Sequence, residues 1–229
     1  MKDLNAMLEE LKKKTLTNGT KQPKDSGSSR RECERSMERA GIYRRYHAVT
    51  FDAIERRGLP EDAIIKRNYS EAKEYAEHLE ENVKQGRGLI LTGGYGTMKT
   101  TIAVAILRKW LDAGHYGLIV PMCSLIDNLY TMRTLNREEW AKYEERIRKT
   151  PLLVLDDLGS ESTDKTWVLD KVDSIITERY NRMMPVIVTT NLSTSDMAGT
   201  YSGRIIDRLR NTADLMVFEA ASQRRHLWE

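Results

Sequence analysis

Residues 93–101, "GGYGTMKTT", close a glycine-rich run with one lysine and two threonines. These are the groups that a triphosphate needs at the head of a helix. Backbone N–H groups and the helix dipole receive phosphate oxygens, a lysine reaches the β- and γ-phosphates, and a hydroxyl binds Mg²⁺. Gly93, Lys99 and Thr100 satisfy G-x-x-x-x-G-K-[ST], but Met98 stands where the pattern has its second glycine. Gly94 and Gly96 still permit close backbone approach. Met98 brings a Cβ beside the phosphates, so the loop must turn that side chain outwards or bind more weakly. The spacing assigns Gly93, Gly94, Tyr95, Gly96, Thr97, Met98, Lys99, Thr100 and Thr101 to ATP binding, with Thr100 as a Mg²⁺ ligand.

A second candidate lies in "LLVLDD", an apolar strand that ends in Asp156 and Asp157. Strands deliver such acids to the C-terminal edge of an open α/β sheet, where ligands bind. Asp156 there can hold Mg²⁺, and Asp157 can orient an attacking water. A third strand, "VIVTTN", ends in Asn191, which could hold the same water or the γ-phosphate; an Asn after a strand is also a common turn former. The loop-bearing and acid-bearing strands are expected to be neighbours, so that lysine and carboxylate flank one magnesium–triphosphate unit.

Positioning these groups requires a regular α/β alternation, and the chain supplies it. "GLILT" (88–92) runs into the loop, and "KTTIAVAILRKWLDAG" is a helix stopped by Gly114. "YGLIVPM" (116–122), "PLLVLDD" (151–157), "PVIVTTN" (185–191) and "DLMVFEA" (214–220) read as further strands. Helices fall between them: "NREEWAKYEERIRK", with a capping-box-like start at Asn136 and Glu139, and "TWVLDKVDSIITERYNR". Upstream, Ala72, Tyr75, Ala76, Leu79 and Val83 predict one helix from about Ser70 to Gly86. Short buried strands alternating with helices mean an α/β fold, a parallel sheet flanked by helices.

The 229 residues are 40% hydrophobic and 31% charged, a soluble composition with room for one sizeable core. No apolar run is long enough to span a bilayer, and "MKDLNAMLEELKKK" has no apolar signal core. Cys33 and Cys123 form neither a disulfide framework nor a zinc cluster, and a reducing cytoplasm is the simple reading. Residues 1–50 hold 12 Lys or Arg against 7 Asp or Glu, a basic arm that suits a polyanionic partner or a solvated tail equally. Within it, Leu4, Met7, Leu8 and Leu11 predict an amphipathic helix over 3–16, followed by the polar linker "TNGTKQPKDSGSS" (17–29). Three parts are expected: a partner-docking helix at 1–16, a linker and connecting helix at 17–37, and a catalytic domain at 38–229. The helix could instead fold back on its own domain.

The ordered set "GGYGTMKTT", "LLVLDDLGSE", "ERYNRMMPVIVTTNLS", "SGRIIDRLR" and "VFEAASQR" resembles the AAA+ ATPases of the DnaC/DnaI helicase-loader and IstB group, over roughly 38–228. The resemblance implies an AAA+ P-loop NTPase core that binds ATP and Mg²⁺. It makes 93–100 the Walker A loop, Asp156 and Asp157 the Walker B acids, and Asn191 the sensor 1 residue. It also makes Arg208 the arginine finger, which completes a neighbouring subunit's site, and Arg224 the sensor 2 arginine. By residue pattern alone, Arg204, Arg208 and Arg210 would share one solvated face with Asp207. The sequence departs from the family at Met98 and at Asp157, where many AAA+ proteins have glutamate.

The helicase loaders of this group load a replicative hexameric helicase (DnaB-like) on single-stranded DNA. The resemblance therefore implies a helicase partner gripped by the N-terminal helix, contact with single-stranded DNA, and nucleotide-dependent oligomers. Arg133, Arg137, Lys142, Arg146, Arg148 and Lys149 could line the DNA path, although Glu138, Glu139, Glu144 and Glu145 interleave with them as in an ordinary charged face. Two other functions fit the same motifs: an IstB-like transposition helper acting on duplex DNA, and an ATP-switched assembly module with little hydrolysis.

Overall fold

The computed structural model describes residues 26–135, 137–160 and 166–223. The expected helix over 3–16, linker residues 17–25, Asn136 and Arg224 lie outside the described residues. The chain divides into a unit ending at Arg35 and a second unit, Ser36–Glu229. The first described helix, α1 (Ser26–Arg39), begins inside the stretch expected to be linker.

In the second unit, α2 (Phe51–Arg57) starts at Thr50, whose side chain accepts from the Ala53 N–H. The single helix expected over 70–86 is two: α3 (Ala63–Glu77) and α4 (Leu79–Lys84). Its start moves upstream because Asp62 caps it, accepting from the N–H groups of Ile64 and Ile65. The break falls at His78, whose φ of −101° and ψ of 28° interrupt the helical path. Gly86, at φ 73°, then turns the chain into the sheet.

Five strands follow: β1 (Gly88–Thr92), β2 (Gly117–Pro121), β3 (Leu152–Leu158), β4 (Val186–Thr190) and β5 (Ala213–Val217). All pairings are parallel, in the order β2-β3-β4-β1-β5. Every residue of β1 and β4 is buried, as expected of central strands covered on both faces. Asp214 and Leu215 of the edge strand β5 are exposed. The connecting helices are α5 (Lys99–Asp112), α6 (Met122–Leu135), α7 (Arg137–Lys149), α8 (Thr166–Asn181), α9 (Thr194–Thr200) and α10 (Gly203–Thr212). By the two-residue alternation of strands, Ile90, Leu118, Val120, Leu153, Leu155, Val186 and Val188 face one side. They share a buried cluster with residues of α6, α7, α8 and α10. Helix α5 packs on β2, β3 and β4, and α3 packs on α5 and β5. Among the described residues no helix is long and apolar enough to cross a membrane.

This order corrects one expectation. The loop-bearing β1 and the acid-bearing β3 are not neighbours, because β4 lies between them. The tip of β4, with Asn191 just beyond it, therefore occupies the middle of the candidate site.

Candidate functional site

The loop between β1 and α5 is built on left-handed turns. Met98 immediately precedes α5 with φ 70° and ψ 4°. The second glycine of the pattern thus has a conformational reason, since a side chain in this region costs about 1–2 kcal/mol. Replacing Met98 with Gly is expected to raise stability by about 1 kcal/mol, or about 2–4 °C in melting temperature, while leaving nucleotide binding in place. A melting temperature that falls would mean that contacts of the half-buried Met98 outweigh its backbone strain.

Gly93 and Gly96 are required for other reasons. A Cβ on Gly93 would lie 2.0 Å from the Phe218 carbonyl oxygen, and one on Gly96 would lie 2.2 Å from the Ser222 hydroxyl. Both glycines accommodate the segment after β5, whose Phe218 N–H donates to Thr92 O and whose Gln223 N–H donates to Gly96 O. Gly94 is the open one: a Cβ there would meet its nearest neighbours only at 3.9 Å. Tyr95 is 74% exposed, and Thr97 is buried with its hydroxyl donating to Gly94 O at 2.9 Å.

Lys99 is only 7% exposed. Its ammonium donates to Gly93 O (2.8 Å), Gly94 O (2.6 Å) and Asn191 Oδ1 (2.9 Å). The Asn191 amide in turn donates from Nδ2 to Asp157 Oδ1 at 2.7 Å. A cation on one side and a carboxylate on the other fix which way this amide points. Thr100 Oγ1 donates to Asp156 Oδ1 at 2.8 Å. Thr189 Oγ1 donates to the same oxygen at 2.7 Å and accepts from the Asp157 N–H at 2.8 Å. Asp157 sits in the left-handed region at φ 61°, tolerable for Asp, at an irregularity of β3. Lys99, Thr100, Asp156, Asp157 and Asn191 therefore form one hydrogen-bonded group spanning three strand tips.

The donor set fits a magnesium–triphosphate. A hydroxyl that coordinates a cation through its oxygen must give its proton elsewhere, and Thr100 already gives it to Asp156. Hard carboxylate and hydroxyl oxygens suit Mg²⁺. The open backbone at Gly94 leaves room for phosphate oxygens, and the Lys99 ammonium lies beside it. Thr101 lies in the first turn of α5 and is half-buried.

Arg208 is placed elsewhere. On α10, it donates to Thr177 Oγ1 (2.7 Å) and Asp173 Oδ1 (3.1 Å) of α8, and its guanidinium lies 5.9 Å from the Tyr180 ring centroid. Arg204 pairs with the other oxygen of Asp173 at 3.0 Å. Asp207 and Arg210, the rest of the expected solvated face, are exposed. The basic residues of α7 behave as a charged face: Lys142 pairs with Glu138, Lys149 with Glu145, and Arg148 with Glu144 and Glu178. Arg146 donates to the Arg39 carbonyl.

Two residues escaped the sequence reading. Thr189 is one half of an unremarkable Thr-Thr pair, and only strand pairing reveals its partners. Arg179 lies in a helix that reads as half-exposed, yet it is fully buried. It donates to the carbonyls of Ile147, Thr150 and Pro185 at 3.0, 2.8 and 2.7 Å, and more weakly to those of Arg148 and Pro151. Burial pulls its pKa down to about 9, so it still carries its charge at neutral pH.

Comparison with known proteins bears on the same stretch. The model of the family described as IstB-like ATP binding protein matches residues 75–227. The replicative helicase loader DnaI of Bacillus subtilis is 28% identical over 123 residues, 52% of this chain and 39% of that protein. The replicative helicase loader DnaC of Escherichia coli K12 is 26% identical over 144 residues, 62% of this chain and 56% of that protein. The matches thus span about half or less of these relatives. Among solved structures, the crystal structure of the DnaC helicase loader superposes with a TM-score of 0.68 at 26% identity, covering 77% of this chain and 99% of that one.

Proposed function

Because the chain belongs to the IstB-like ATP-binding protein family and has the AAA+ fold, we propose that it is an ATP-dependent helicase loader. The observation that carries the nucleotide part is the hydrogen-bonded group joining Lys99 and Thr100 to Asp156, Asp157 and Asn191. Backbone N–H groups of 93–100 and the Lys99 ammonium bind the phosphates, while Thr100 and Asp156 hold Mg²⁺. The cation, when bound, neutralises charge on the phosphate oxygens. Asp157 accepts a proton from water, and Asn191 holds that carboxylate in place. Arg208, anchored on α8 within its own chain, completes the site of a neighbouring subunit in a nucleotide-dependent oligomer. Arg224 serves as the sensor 2 arginine.

The loader role is supported by the relatives named as replicative helicase loaders. Residues 1–16 grip a hexameric helicase, and the ATPase domain engages single-stranded DNA. Since Lys142, Arg148 and Lys149 of α7 are matched by acids and Arg146 donates to a backbone carbonyl, aromatic groups are the better candidates for DNA contact. Tyr130 of α6 is 59% exposed, and its ring lies 6.1 Å from that of Trp167 of α8. Lys171 of α8 lies 5.3 Å from the ring of Trp140 of α7. Bases stacked on Tyr130 and Trp167 would contribute about 1–3 kcal/mol each.

The test is a pull-down against a hexameric replicative helicase with residues 1–16 present or deleted, paired with DNA binding by wild type and Trp167→Ala. The proposal expects capture of the helicase only with residues 1–16, and single-stranded DNA binding weakened at least about fivefold by Trp167→Ala. Failure of both proteins to capture the helicase, together with tight coating of duplex DNA, would instead favour a transposition helper, the reading that the family description also allows. Nucleotide-dependent oligomers without phosphate release would leave only an assembly switch.

A further inference from the structure

Strand β3 carries one residue more than β4 at the site. Leu155 pairs with Val188 and Leu158 with Thr190, so both Asp156 and Asp157 lie opposite the single residue Thr189. Such bulges re-aim side chains beside active sites. Thr189 is 1% exposed, and its hydroxyl has one proton to give and lone pairs to accept with. The proton goes to Asp156 Oδ1, and a lone pair receives the Asp157 N–H. One side chain thereby fixes the rotamer of the first acid and the left-handed backbone of the second.

We propose that Thr189 is a positioning residue that sets both Walker B acids, and through Asp156 tunes the affinity for Mg²⁺. The inference rests on the nucleotide site argued above. Both hydroxyls on Asp156, those of Thr100 and Thr189, converge on Oδ1. That convergence leaves Oδ2 outside these two bonds and orients the carboxylate as a plane rather than as a freely turning group. Without the Thr189 hydroxyl, Asp156 loses one of these two donors, and the Asp157 N–H loses the acceptor that Thr189 gives its left-handed backbone.

Thr189→Val removes the hydroxyl at nearly constant volume, and Thr189→Ser keeps it. Binding of a fluorescent ATP analogue is measured in EDTA and across a Mg²⁺ titration, with melting temperature recorded alongside. The Val variant is expected to need about 10-fold more Mg²⁺ for half-saturation, the loss usual for a group that orients a metal ligand. Its affinity in EDTA should match wild type, and the Ser variant should restore the wild-type Mg²⁺ midpoint. Thr189→Ala, which cannot overfill the site, is read in the same titration should the Val variant melt early. A Mg²⁺ midpoint unchanged in both hydroxyl-free variants would overturn the role of Thr189. Wild-type protein that binds no nucleotide at all would overturn the site reading itself, a result distinct from the first.

Discussion

Replacing Lys99 with Met should lower the affinity for Mg–ATP about 100-fold while leaving the fold intact. A charge-assisted hydrogen bond to phosphate contributes roughly 1.5–3 kcal/mol, and every 1.4 kcal/mol is tenfold in affinity. The upper part of that range applies because Lys99 is nearly buried, and its ammonium is already held among oxygens rather than extended into water. Methionine keeps the aliphatic stem and removes only the charge and its donors. The carbonyls of Gly93 and Gly94 lose a partner, but Gly94 is exposed and water can replace it. Calorimetric titration checks this directly, with a melting curve as control. Equal affinity in a folded variant would remove the lysine's assigned role and, with it, the phosphate loop.

The second large effect concerns stability. Arg179→Met should destabilise the domain by about 3–5 kcal/mol, because it leaves three closely bonded carbonyls without their donor, at about 1–3 kcal/mol each. For a domain of this size that corresponds to a fall of about 10 °C in melting temperature. Among the described residues the guanidinium meets no carboxylate; its Nη groups donate to backbone carbonyls. Ile147 and Arg148 belong to the last turn of α7, where carbonyls lack helical partners, and Thr150, Pro151 and Pro185 lead into β3 and β4. One arginine therefore ties a helix end to the starts of the two strands whose tips carry Asp156, Asp157 and Asn191. Methionine fills much of the space, so the loss reflects unsatisfied carbonyls more than a cavity. Urea unfolding of both proteins measures it. A difference below about 1 kcal/mol would show that water takes over these carbonyls and that Arg179 is not a structural tie.

Which residues meet at the candidate site was more legible in the sequence than the architecture that brings them together. Lys99, Thr100 and the paired acids announce themselves because phosphate and Mg²⁺ binding need particular groups at short range, and short range is what a motif records. The strands around them were legible for the same reason, as uninterrupted apolar runs. Strand order was not, because it depends on pairings between segments far apart in the chain; hence β1, expected beside β3, proved to be separated from it by β4. Thr189 follows from that order and from a bulge, neither visible in "VIVTTN". Arg179 was hidden because a helix pattern shows which residues share a face but not which face is covered by another helix's end. Met98 was visible as an oddity, but its left-handed backbone, which by itself favours glycine, was not. Helix α3 began early because a cap at Asp62 overrode the later start suggested by Ser70.

The most direct test is a crystal structure of the protein with Mg²⁺ and a nonhydrolysable ATP analogue. The triphosphate is expected along the backbone of 93–100 with Lys99 Nζ turned to its terminal phosphates, and the cation against Thr100 with Asp156 in its shell. A nucleotide seated elsewhere, or a loop whose lysine stays on its own carbonyls at saturating analogue, would contradict it.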